Sequence, residues 1–113
     1  MPYDEDLANR VREILAGTAN IDEKRMFGGL AFLVNGNMAV AVSGQGGLMV
    51  RVAPEDTAAL LAREHVRPMV MAGRDIRGWL RIDHDGIRTL RQLRPWVARG
   101  LEYAADLPAK KRR

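Results

Sequence analysis

Asn35-Gly36 constrains this chain more than any other pair of residues, because it separates two alternating apolar runs. Before it, Leu30, Phe32 and Val34 alternate with Ala31 and Leu33; after it, Met38, Val40 and Val42 alternate with Ala39 and Ala41. A two-residue type I′ connection needs φ > 0 at both central positions, and Asn-Gly meets that need at least cost. The segment therefore predicts a β-hairpin. Its two faces differ: one carries large apolar side chains and the other mostly small ones. That pattern suits a sheet with one face on a core and the second partly covered or at an interface. Ser43-Gly44-Gln45-Gly46-Gly47 is a looser turn into a third strand carrying Leu48, Val50 and Val52, with Arg51 pointing the other way.

The flanking segments read as helices and two more strands. Asp4 can cap a first helix, Glu5 and Asp6 suit its positive end, and Leu7, Val11, Ile14 and Leu15 give one apolar face, with Gly17 as the stop. Asn20-Ile21-Asp22-Glu23 reads as a connection, and Gly28-Gly29 as a bulge or bend that lets the next strand enter the sheet. Pro54 and Glu55 open a second helix with Ala58, Leu60, Leu61 and Ala62 on its apolar side. Pro68-Met69-Val70-Met71 is a short strand, 73–78 a polar connection, and Trp79-Leu80-Arg81-Ile82 a fifth strand closed by the turn Asp83-His84-Asp85-Gly86. Thr89 can cap a last helix striped by Leu90, Leu93, Val97, Leu101, Ala104 and Ala105. Within it Pro95 either kinks one helix or starts a second, and Gly100 weakens the middle. Trp79 and Trp96 are expected to anchor the core where the last strand meets the last helix. The predicted order is α-β-β-β-α-β-β-α, an α+β class with a five-stranded antiparallel sheet.

At 113 residues one domain is expected, over 1–108, followed by a basic disordered tail over 109–113. Cysteine is absent, which removes disulfides and thiolate metal sites. The start is acidic, and no apolar run approaches the ~20 residues that span a bilayer, so a soluble cytoplasmic protein is the expectation. The formal charge of +4 equals the last four residues, Lys110, Lys111, Arg112 and Arg113; the rest is formally neutral. Residues 1–60 hold five basic and eight acidic side chains, whereas 61–109 hold nine arginines against six acids.

Tests for chemistry are mostly negative. Ser43, the single serine, lies in a glycine-rich turn with no nucleophile-elbow pattern around it. Aligning Gly86 with the invariant glycine of a calcium loop puts Arg81 and Gln92 at the end ligand positions, so that match fails. His65 and His84 lack a metal-ligand spacing. Gly44-Gln45-Gly46-Gly47 is no dinucleotide fingerprint, since a strand follows it, and Gly28-Gly29 has no phosphate-loop successor. No catalytic, cofactor or metal residue is predicted. Met38, Met49, Met69 and Met71 read as core or interface fillers. Arg88, Arg91 and Arg94 recur every three residues and form a candidate basic ridge for phosphates or an acidic partner. The tail residues Lys110, Lys111, Arg112 and Arg113 would add a salt slope of about −3.6 on duplex DNA.

The residues that build this order also resemble a known family. Lys24-Arg25-Met26-Phe27-Gly28-Gly29, Asn35-Gly36-Asn37-Met38, Leu48-Met49-Val50-Arg51-Val52, Gly73-Arg74, Gly78-Trp79, Trp96-Val97 and Leu107-Pro108 are together similar to the N-terminal domain of the TfoX/Sxy family. The resemblance covers about residues 3–108. It implies a two-layer α+β fold of the secretion-chaperone-like type, with helices on one face of the sheet, and a link to regulation of natural competence. It supplies no catalytic residues. Full-length members carry a second, C-terminal domain, and about five residues follow the last predicted helix here. The resulting expectation is a non-enzymatic regulatory or protein-interaction module without cofactors, partnered by another protein or by itself as a homodimer. Direct, non-specific nucleic-acid binding is the alternative; a small-molecule binder or enzyme using a pocket near Gly28-Gly29 and Trp79 comes third.

Overall fold

The computed structural model describes residues 3–26 and 28–108. Helix α1 (Glu5–Leu15) is followed by four strands, β1 (Ile21–Met26), β2 (Gly29–Val34), β3 (Asn37–Val42) and β4 (Leu48–Arg51). A 3-10 turn (Pro54–Asp56) leads into the short helix α2 (Thr57–Leu61). Strands β5 (Val66–Met71) and β6 (Arg74–Ile82), a second 3-10 turn (His84–Gly86) and helix α3 (Leu90–Asp106) complete the chain. All neighbouring strands are antiparallel, in the order β1-β2-β3-β4-β6-β5. The class is α+β as expected, but the sheet has six strands rather than five.

The extra strand is β1, whose start the sequence reading treats as a connection. Asp22, Glu23, Lys24 and Arg25 give it no apolar alternation, because it lies at an edge of the sheet. Its strand state comes from pairing with β2, which runs from Ile21↔Val34 to Met26↔Gly29. Charged edges of this kind discourage further strand pairing. Gly28 (φ +77°) belongs to the β1–β2 connection rather than to a bulge. Gly29 is needed for space: a Cβ there would collide with the Val42 carbonyl oxygen across the sheet. Asn35 (φ +52°) and Gly36 (φ +81°) form the expected tight turn between β2 and β3. Residues 74–78 are a second correction. They belong to β6, which pairs with β5 around Ala72-Gly73, another pair with positive φ.

The helices stabilise one side of the sheet. Asp4 Oδ1 accepts from the Leu7 amide at 3.1 Å, and Leu7, Ala8, Val11 and Leu15 are buried. Thr89 and Gln92 form a reciprocal capping box at the start of α3. Helix α3 runs unbroken past Pro95; Pro95 and Arg91, the residue whose carbonyl loses its partner, are both exposed. Burial of Leu93, Trp96, Val97, Gly100 and Ala104 outweighs the cost of the proline. Leu93, Trp96 and Val97 meet Phe32, Val40, Val42, Leu48, Val50, Leu80 and Ile82 in one core, while Ala104 packs with Val34 and Ala39. Helix α2 is shorter than its apolar pattern suggests and buries only Thr57 and Leu60.

A register shift between β2 and β3 decides what faces where. Phe32 pairs with Val40 and Leu33 with Met38, leaving Ala39 as an extra residue. The bulge turns Ala39 toward Ala104 of α3, alongside Val40, and turns Met38 to the opposite face. The simple alternation read from the sequence, which placed Met38 with Val40 and Val42, is thereby corrected.

Candidate functional site

The face of the sheet opposite α1 and α3 carries a groove of about 410 Å³. Its floor comes from the small residues of the central strands, Ala31 and Ala41, and its walls from methionines. Met26, Met38, Met49, Met69 and Met71 all line it. These are all the methionines among the described residues, and every one of them converges on this groove. The convergence follows from register: Met49 pairs with Arg81 across β4–β6, Ala41 with Met49 across β3–β4, and Met26 with Gly29 across β1–β2. Methionine is flexible and polarisable, and recurs on surfaces that adapt to an apolar ligand.

Trp79 corrects a further expectation. It lines the groove instead of entering the core, whereas Trp96 is buried under α3. In Trp79-Leu80-Arg81-Ile82 the core positions are Leu80 and Ile82, which leaves Trp79 and Arg81 together on the other face. The Arg51 guanidinium lies 5.8 Å from the Trp79 ring centre and 5.7 Å from that of Tyr103, within cation–π range.

One end of the groove is polar. Arg81 Nη2 donates to Ser43 Oγ at 3.1 Å and to the Gly46 carbonyl at 3.2 Å. Ser43 Oγ also accepts from the Gln45 amide, so the serine acts as the expected turn hydroxyl and steadies an arginine. Arg67, opposite Arg81 on β5, is held by both carboxylate oxygens of Asp83 at 2.8 and 2.9 Å. Where the groove reaches the free β5 edge, Val70 (53% exposed) and Met71 (47% exposed) are the large apolar side chains left most open among the described residues.

The predicted arginine ridge is only partly assembled. Arg88 lies outside the helix and approaches Asp85 at 3.6 Å, while Arg91 and Arg94 are exposed in the first turns of α3. Residues 110–113 lie outside the described residues. His84 sits in the second 3-10 turn and His65 has φ +67° at the entry to β5. No group of three or more potential metal ligands occurs among the described residues. No helix there is long and apolar enough to cross a membrane.

The groove was readable in part. The small-apolar face and the methionines were visible, but their convergence needed the bulge at Ala39 and the long β6. Arg81 carried no motif; its alternation with Leu80 and Ile82 was the available signal.

Comparison with known proteins agrees with the signature residues. Neither the curated proteins nor the solved structures yield a match. The family model for the TfoX N-terminal domain matches residues 13–104, from the last turn of α1 to the last turn of α3. That span takes in every strand and the whole methionine groove, and the chain belongs to the TfoX N-terminal domain family.

Proposed function

We propose that this chain is a non-enzymatic regulatory module that works by binding another protein, in the manner of a competence-related co-regulator. The observation that carries the reading is the apolar surface at the β5 edge. Val70 and Met71 are exposed on a strand whose outer side is unpaired, next to an uncovered sheet face. An edge of this kind, unlike the charged β1 edge, offers both main-chain pairing and apolar contact. Family membership supports a regulatory role.

The test is affinity capture from native lysate, with and without nuclease, using the wild-type chain and the double variant Val70→Glu/Met71→Glu. The reading expects a protein recovered by the wild type after nuclease and lost with the variant. Recovery that disappears with nuclease, or that ignores the variant, contradicts it. A homodimer formed through the same edge would appear in light scattering as a concentration-dependent doubling of mass, abolished by the same substitutions.

Exposed Arg91 and Arg94 favour direct nucleic-acid contact as the second reading. Its test is a gel shift at two salt concentrations, with Arg91→Gln/Arg94→Gln and with residues 110–113 removed. Binding indifferent to salt and to both changes would eliminate it.

A further inference from the structure

We propose that the methionine groove is a binding site for a small amphipathic carboxylate, with its apolar body across Ala31 and Ala41 and its carboxylate on Arg81. This goes beyond the protein-binding reading and is tested separately from it.

Size and lining come first. A groove of about 410 Å³ falls within the range typical of small-molecule sites, ~300–1,000 Å³. Five methionine side chains surround two alanines, so the walls are apolar and deformable while the floor is shallow and smooth. An unbranched or lightly branched chain fits such a lining without a rigid complementary shape.

Charge then selects the head group. Among the described residues Arg81 is the arginine that lines the groove, and the two arginines beside it in the strand register, Arg67 and Arg51, are already engaged. Arg67 is neutralised by Asp83, and Arg51 is stacked between Trp79 and Tyr103. Arg81 has no carboxylate partner among the described residues. Its Nη2 is held by Ser43 and Gly46, which fixes the guanidinium plane, while Nε and Nη1 have no protein acceptor there. A guanidinium pinned along one edge with donors to spare suits two parallel bonds donated to a carboxylate. An ammonium head group would be repelled, and an alcohol oxygen would accept a bond but bring no opposite charge.

Sodium decanoate is the probe, observed by methyl NMR of the intact chain labelled with [methyl-13C]methionine. Decan-1-ol and decyltrimethylammonium are the comparison ligands, all kept below their aggregation concentrations. The expected result is a saturable shift of the Met26, Met38, Met49, Met69 and Met71 methyls at micromolar to low-millimolar decanoate. Arg81→Gln should weaken binding by at least about tenfold, as loss of a charge-assisted bond requires. Arg81→Lys, which keeps charge but loses the planar fork, should weaken it less. Unchanged amide spectra of both variants will show that the fold is intact. The proposal is overturned if the groove methyls do not move, if decan-1-ol binds as tightly as decanoate, or if both arginine variants bind like the wild type. Contacts between groove methyls of two copies in the free protein would overturn it as well, since the groove would then hold a second chain.

Discussion

Gly100→Ala gives a test in which helix propensity and tertiary packing predict opposite signs. Gly100 is buried in the middle of α3, where alanine would ordinarily stabilise a helix by about 0.5–1 kcal/mol. Here a Cβ would sit 2.5 Å from the Ala39 carbonyl oxygen and 2.8 Å from Val40 Cγ1. The first of these is backbone in the bulge, so it cannot swing aside as a flexible side chain would. Either α3 lifts from β3 or the bulge flattens. Overpacking of a tight core costs about 1–3 kcal/mol, and a helix pressed on a backbone carbonyl belongs at the upper end. Subtracting the propensity gain leaves a net loss of about 2–2.5 kcal/mol, or roughly 8–11 °C in Tm for a domain of this size. Urea unfolding followed by circular dichroism measures it as a lower midpoint at unchanged slope. Ala98→Gly, at an exposed position of the same helix, should lose about 1 kcal/mol from propensity alone. A Gly100→Ala variant as stable as the wild type, or more so, would refute the claim that α3 is seated on the bulge through this glycine.

Other perturbations follow from individual contacts. Thr89→Ala removes one half of the capping box and should cost about 0.5–2 kcal/mol, read from the same urea curves. The two-bond pair between Arg12 and Glu23 ties α1 to β1, holding the Glu23 carboxyl below its ordinary range and Arg12 above its own. Because the folded carboxyl is the stronger acid, its contribution is present above about pH 4.5 and disappears as pH falls through the lowered folded value. Both side chains are 37% exposed, so the pair contributes at most ~1 kcal/mol. The stability gap between wild type and Glu23→Gln should therefore be small at pH 7 and shrink as the pH is taken down from about 4.5 through the lowered folded value, as measured by urea midpoints on acidification. Val70→Glu/Met71→Glu should leave the unfolding midpoint within about 0.5 kcal/mol of wild type, since both side chains are exposed; loss of partner binding in that variant then reports on the surface and not on folding.

The parts of the fold that were legible are those where local chemistry and burial coincide. Asn35-Gly36 specifies its turn because its backbone requirement is local. Leu7, Val11 and Leu15 mark α1 because a buried face leaves its period in the sequence. Strand β1 left no such mark: an edge strand with charged residues owes its structure to a partner strand distant from its own pattern. Ala39 shows a second limit. One inserted residue exchanges the faces of everything beyond it, and alanine suits either face, so nothing in Asn37–Val42 announces the bulge. Trp79 departs from expectation for a different reason: its alternation with Leu80 and Ile82, and not its size, sets the face it occupies. The groove inherits all three effects, since Met26 comes from β1, Met38 is turned into it by the bulge, and Trp79 and Arg81 come from β6.

Methionine oxidation footprinting tests most directly whether this chain acts through its β5 edge. Dilute peroxide is applied to the free chain and to the captured, nuclease-treated complex, and the sulfoxide at each methionine is quantified by mass spectrometry. The account predicts that Met71 oxidises readily in the free chain and is strongly protected in the complex. Equal oxidation of Met71 in the free chain and the complex would contradict it.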